Sequence, residues 1–115
     1  MTAINKVSEL EVNGFSKRRY NKKLICKGSC YFSAWKIAYE LDIQYIEGEI
    51  LVKGEYIPHA WNSDKEGNEF DLVYEYHFPK FFMNDRKIIV QGMIDKLLKA
   101  GYASPAFKPL AEQKN

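Results

Sequence analysis

Three side chains in this sequence have the types and the order for nucleophilic catalysis: Cys30, His59 and Asp71. A cysteine thiol ordinarily titrates near pH 8.5, and the positive end of a helix dipole favours the thiolate, which is the attacking form. A neighbouring imidazolium favours it further and then protonates the leaving group. A carboxylate behind the histidine holds the ring in one tautomer and steadies its charge. Each residue therefore needs a particular element beneath it: a helix start for the cysteine and adjacent strands for the other two.

The pattern supplies those elements. Ala34, Ile37, Ala38 and Leu41 fall at helical spacing, with Gly28 as a loop residue and Ser29 as N-cap. The predicted helix starts at or beside Cys30 and ends near Asp42. From Gln44 the period changes to that of strands. Residues 44–52 and 55–62 read as two strands joined by a Lys53-Gly54 turn. Ser63-Asp64-Lys65-Glu66-Gly67 reads as a type I turn closed by a left-handed glycine, and residues 69–76 as a third strand. These three strands form an antiparallel meander.

The turn also fixes a register. If Asp64 and Asn68 flank a three-residue loop, Asp71 lies opposite Trp61, and Trp61 shares a face with His59 because side chains alternate along a strand. His59 and Asp71 then become diagonal neighbours within side-chain reach. A one-residue slip would place them on opposite faces.

Beyond residue 78, Pro79 and Phe81-Phe82 open a connection to a C-terminal helix. Val90, Met93, Ile94, Leu97 and Leu98 fit this helix, with Gly101 as its C′ residue. Gly92 disfavours so long a helix, and the alternative is a short strand over 87–91 followed by a shorter helix. Residues 103–115, with Pro105 and Pro109, read as a tail behind a core of about 24–100. The fold class expected is α+β, in one domain.

Composition bounds the function classes. The 115 residues are 46% hydrophobic, 15% aromatic and 28% charged, a globular profile with room for one domain. No apolar run approaches the roughly 20 residues of a membrane span, and the first residues lack the apolar region of a signal peptide. A cytoplasmic protein without membrane partners is expected. The net charge is +2, yet residues 17–27 alone carry +6, leaving −4 for the rest. Such a block is either a solvated face or a site for an acidic partner; no nucleic-acid motif accompanies it.

Cys26 and Cys30 are four apart, and with only His59 and His77 elsewhere they fit no common zinc spacing. No metal or other cofactor is expected. Cys26 reads as a packing residue or, alternatively, as the redox partner of Cys30. Glu47 reads as a solvated strand residue or a polar member of the site, and His77 as an exposed residue at a strand end.

The segments Ser29-Cys30-Tyr31-Phe32-Ser33-Ala34, Tyr45-Ile46-Glu47-Gly48, Pro58-His59-Ala60-Trp61-Asn62 and Gly67-Asn68-Glu69-Phe70-Asp71 together resemble the transglutaminase-like and papain-like cysteine hydrolase superfamily. The resemblance covers about residues 24–76. It implies a nucleophile-bearing helix packed on a small antiparallel sheet. It also implies Cys30 as nucleophile, His59 as base and acid, and Asp71 as orienter. In the same resemblance Trp61 shields the His–Asp pair from water, and Ser29 and Tyr31 line the substrate side. The activity implied is hydrolysis or acyl transfer at an amide, peptide or thioester bond, with a peptide, protein or small amide as substrate. Residues 22–29 contain no glutamine or asparagine where papain-like enzymes place an oxyanion donor. The Cys30 backbone N–H supplies one donor and leaves the second unassigned. The chain is short for the superfamily, and a substrate-binding subdomain is expected to be missing. The other reading of the same fold is an inactive binding or inhibitory module that engages an acidic protein or nucleic acid through residues 17–27.

Overall fold

The computed structural model describes residues 30–72, 85–106 and 108–113. The nucleophile-bearing element predicted from the sequence is helix α1, Cys30–Leu41. It buries Ala34, Ile37, Ala38 and Leu41 at the expected spacing, together with Ser33 and Trp35. The chain leaves it through Asp42, at φ +54°, and the Ile43 amide returns to the Ala38 carbonyl at 3.1 Å. Aspartate is among the few non-glycine residues that tolerate this left-handed conformation.

Strands β1 (Gln44–Val52) and β2 (Glu55–Ser63) form a hairpin whose two-residue loop, Lys53-Gly54, has φ of +50° and +83°. Positive φ at both loop residues matches the right-handed twist of the paired strands. The next turn is also as read from the sequence. The Asp64 amide bonds the Asn68 carbonyl at 3.0 Å, and Gly67 sits at φ +87°. Asp64 Oδ1 accepts from the Glu66 and Asn68 amides at 2.9 and 2.8 Å. The register follows: Asn62 faces Phe70 and Ser63 faces Glu69.

The third strand is much shorter than expected. Strand β3 is Glu69–Phe70 only; Asp71 lies just past it, and Leu72 already has a helical backbone. Phe70, Asp71 and Leu72 are consecutive and all buried, and the backbone passes from strand to helix across them. Strand propensity in this stretch yields to tertiary packing. Residues 73–76 of the predicted strand lie outside the described residues.

A fourth strand, β4 (Arg86–Gly92), runs antiparallel to the other edge of β1, giving the order β3-β2-β1-β4. The short helix α2, Ile94–Lys99, follows. Of the two sequence alternatives for this region, strand then short helix is the one adopted. Gly101, at φ +101°, ends α2 as expected, with amides of Gly101 and Tyr102 bonding the carbonyls of Leu98 and Leu97 at 3.1 Å each. Within the expected tail, residues 103–115, the described residues 108–113 instead fold back. Leu110 opens a 3-10 turn, Leu110–Glu112, and is buried.

The sheet carries apolar side chains on both faces. On one, Ala34, Trp35 and Ala38 of α1 pack with Tyr45, Ala60, Val90, Leu97 and Leu110. On the other, Ile46, Ile50 and Trp61 cluster with Val52 and Ile57. Between β1 and β4 the register shifts at Glu47/Gly48, where Gly48 lies so close to its neighbour that a Cβ would sit 2.0 Å from the Lys87 carbonyl oxygen. The architecture is α+β, one helix packed on a four-stranded antiparallel sheet. No helix among the described residues is long and apolar enough to cross a membrane.

Candidate active site

His59 stands in β2 opposite Gly48, and Asp71 follows the end of β3. Both side chains are buried, and His59 Nε2 hydrogen-bonds Asp71 Oδ2. Asp71 reaches this position although it lies beyond the last paired residue, because the Asn62–Phe70 register brings the chain alongside β2. The Cys30 side chain, at the first residue of α1 and partly exposed, lies near enough to the same ring to contribute to holding its proton.

The electrostatics follow from this arrangement. Burial alone would push the His59 imidazole down, but the Asp71 carboxylate and its hydrogen bond, with a further contribution from Cys30, outweigh it and raise the ring to about 10. The folded protein therefore favours the charged imidazolium.

Trp61 covers the ring. Its indole lies 6.3 Å from the His59 ring between centroids, nearly parallel at 15°, and is 1% exposed. Its Nε1 donates to Glu69 Oε1 at 2.8 Å. Glu69 in turn is held by Arg86 of β4 through Nε, at 2.8 Å, and Nη2, at 2.6 Å. Glu69 and Arg86 thus hold the indole in place. Glu69 and Arg86 were not among the sequence candidates; their pairing is a contact across the sheet with no local signature.

Asn62, next to Trp61, also escaped the sequence reading. Its Nδ2 donates to the Ala34 carbonyl at 2.9 Å and to the Gln44 carbonyl at 3.1 Å. One buried amide therefore pins α1, and with it Cys30, to the strand that carries His59.

Tyr31 lies beside Cys30, half-buried against the core cluster. Burial first, then the charges of Cys30, Glu47 and Glu112, push its phenol up to about 12, so it remains a hydrogen-bond donor. Glu47 is neither solvated nor part of the site. It is 2% exposed and accepts from the Tyr45 hydroxyl at 2.6 Å and from the Leu110 and Ala111 amides at 2.6 and 2.9 Å. Burial and this bond to Glu47 raise the Tyr45 phenol. Ser29, Cys26, His77 and the basic residues 17–27 lie outside the described residues.

Of the residues named from the sequence, the structure brings Cys30, His59, Asp71 and Trp61 together, with Tyr31 alongside. No protein-family model, curated protein or solved structure matches the chain.

Proposed function

We propose that this protein is a small cysteine hydrolase or acyltransferase of the transglutaminase-like and papain-like type, acting on an amide, peptide or thioester bond. The observation that carries the reading is that one buried imidazole bonds an aspartate and has the thiol of a helix-start cysteine near enough to influence its proton. The Cys30 sulfur attacks the substrate carbonyl carbon, forming a carbon–sulfur bond and an oxyanion. The Cys30 backbone N–H, at the positive end of α1, supplies one donor for that developing charge. On collapse the bond to the leaving group breaks, and His59 gives its proton to the departing nitrogen or sulfur. The acyl thioester is then attacked by water or an amine, whose proton passes to His59, and the carbon–sulfur bond breaks to release the Cys30 thiolate. Asp71 keeps the ring oriented throughout, and Trp61 excludes water from the pair, strengthening it.

The test is iodoacetamide alkylation as a function of pH, with the Cys30 peptide followed by mass spectrometry in wild type and His59→Ala. Alkylation of Cys30 well below the ordinary thiol range near pH 8.5, abolished in His59→Ala, is the expected result. A Cys30 that reacts as an ordinary thiol in both proteins overturns the reading. Incubation with a panel of thioesters and amides then reports the substrate class as an acyl mass added to Cys30.

A further inference from the structure

Asn62 is 1% exposed and stands where the three elements that carry the candidate site meet. Its backbone lies opposite Tyr45 on one side and, on the other, opposite Phe70, the residue before Asp71. His59 is three residues back along the same strand. The side chain ties in the helix. One amide nitrogen carries two N–H groups, and they reach the Ala34 carbonyl in α1 at 2.9 Å and the Gln44 carbonyl at the start of β1 at 3.1 Å. Ala34 lies one turn beyond Cys30, and the i→i−4 bonds of the helix carry its position to the helix start. The cysteine, the histidine and the aspartate are thus each referred to one residue. Neither side-chain bond goes to any of the three, so Asn62 acts through the elements it joins.

Apolar packing alone does not fix such a joint. Ala34, Trp35 and Ala38 bury against Tyr45, Ala60 and Val90, which opposes lifting α1 off the sheet but has no direction of its own. Hydrogen bonds have a preferred length and angle, so they also resist sliding of the helix along its axis. One of the two carbonyls lies in the first half of α1 and the other three residues past its last residue, Leu41, so the helix is held at both places. Displacement of a reacting atom by about 1 Å can slow a reaction about a hundredfold. We propose that Asn62 is a positioning residue for the proposed reaction, its amide fixing α1 against β2 so that the Cys30 thiol stays near the His59 ring.

This role rests on the Cys30–His59 pair of the function proposed above, and the test separates the two. The His59 ring is titrated by NMR in the full chain, with and without Cys30→Ala, in wild type, Asn62→Ala, Asn62→Ser and Val90→Ala. Serine has a single O–H donor and can serve one of the two carbonyls, so it is the milder variant if alanine does not fold. Val90→Ala removes core volume from β4, at the edge of the sheet opposite β3, and reports general loosening. In wild type and Val90→Ala, Cys30→Ala is expected to lower the ring titration. In the Asn62 variants that effect should shrink by about half or more. Where wild-type Cys30 is reactive below the ordinary thiol range, its alkylation by iodoacetamide near pH 6 should slow about tenfold in the Asn62 variants. A Cys30 effect of equal size with and without Asn62 overturns the positioning role, and so does one lost equally in Val90→Ala or an unchanged alkylation rate. An ordinary wild-type Cys30 beside an Asn62-dependent ring effect would sink the enzyme reading and leave the positioning role standing; a reactive Cys30 beside an Asn62-independent ring effect would do the reverse.

Discussion

The imidazole of His59 and the carboxylate of Asp71 share a hydrogen bond in the interior, with their side chains 7% and 4% exposed. Twelve residues separate them in sequence, and a turn closed by Asp64 and Gly67 brings them into register. Because both groups are buried, neither tolerates loss of the other.

Replacing Asp71 by Asn should therefore reverse the balance at His59. Without the carboxylate, burial dominates and the imidazole falls below its ordinary range, becoming neutral at neutral pH. Breaking a buried pair by removing one partner costs about 3–5 kcal/mol. The His59 ring-proton titration by NMR and the urea midpoint check the two halves of this prediction.

Stability should also depend on pH through this pair. A histidine raised from 6.5 to about 10 on folding binds its proton more tightly in the native state. Its contribution is complete below the unfolded value, declines above it, and is lost as pH rises through the folded value. Urea midpoints measured from mildly acidic to strongly alkaline pH should fall across that window. In His59→Gln the part of the slope due to this group should vanish; an unchanged slope would contradict the assignment.

Gly48→Ala should be severe and Gly92→Ala mild. At Gly48 the new methyl meets the Lys87 carbonyl oxygen at 2.0 Å, a backbone atom that cannot yield without separating β1 from β4. At Gly92 it meets the Leu97 side chain at 3.3 Å, a flexible neighbour that has to give by only a few tenths of an ångström. Overpacking of the first kind costs about 1–3 kcal/mol or more. Thermal unfolding of the two variants should rank them in that order.

Glu69→Gln should leave the fold in place while freeing Trp61. It removes the charge that Arg86 pairs with and weakens the acceptor of the indole N–H. A cost of about 1–3 kcal/mol is expected for a hydrogen bond to a charged group. A red-shifted or quenched tryptophan emission, together with slower acyl transfer in the proposed reaction, would register the loss of cover over His59.

How much of this was legible in the sequence depended on the range of the contacts involved. Helix α1, the Lys53-Gly54 hairpin and the Asp64–Asn68 turn rest on neighbours a few residues apart, and spacing alone disclosed them. Because those local elements carry Cys30, His59 and the approach to Asp71, the candidate site was legible too. The shortness of β3 was not, since the burial of Phe70, Asp71 and Leu72 in succession is decided by the whole fold. Nor was the place of Glu47, whose acceptors join it to Leu110 across a separation of 63 residues. Isolated prolines near the C-terminus look alike in a tail and in a docked loop; only the pocket that receives Leu110 distinguishes them.

The register shift at Glu47/Gly48 has a bearing on how these molecules behave in a crowd. Among the described residues β4 pairs only with β1, and it carries the exposed side chains Ile88 and Ile89. A regular strand of that kind offers a template onto which another chain can add, the first step toward an aggregate. Here Glu47 faces Val90 and Gly48 faces Ile88, so Ile89 is the extra residue of a bulge, and Lys87 sets a charge beside it. The irregular hydrogen-bond spacing and the charge discourage such addition.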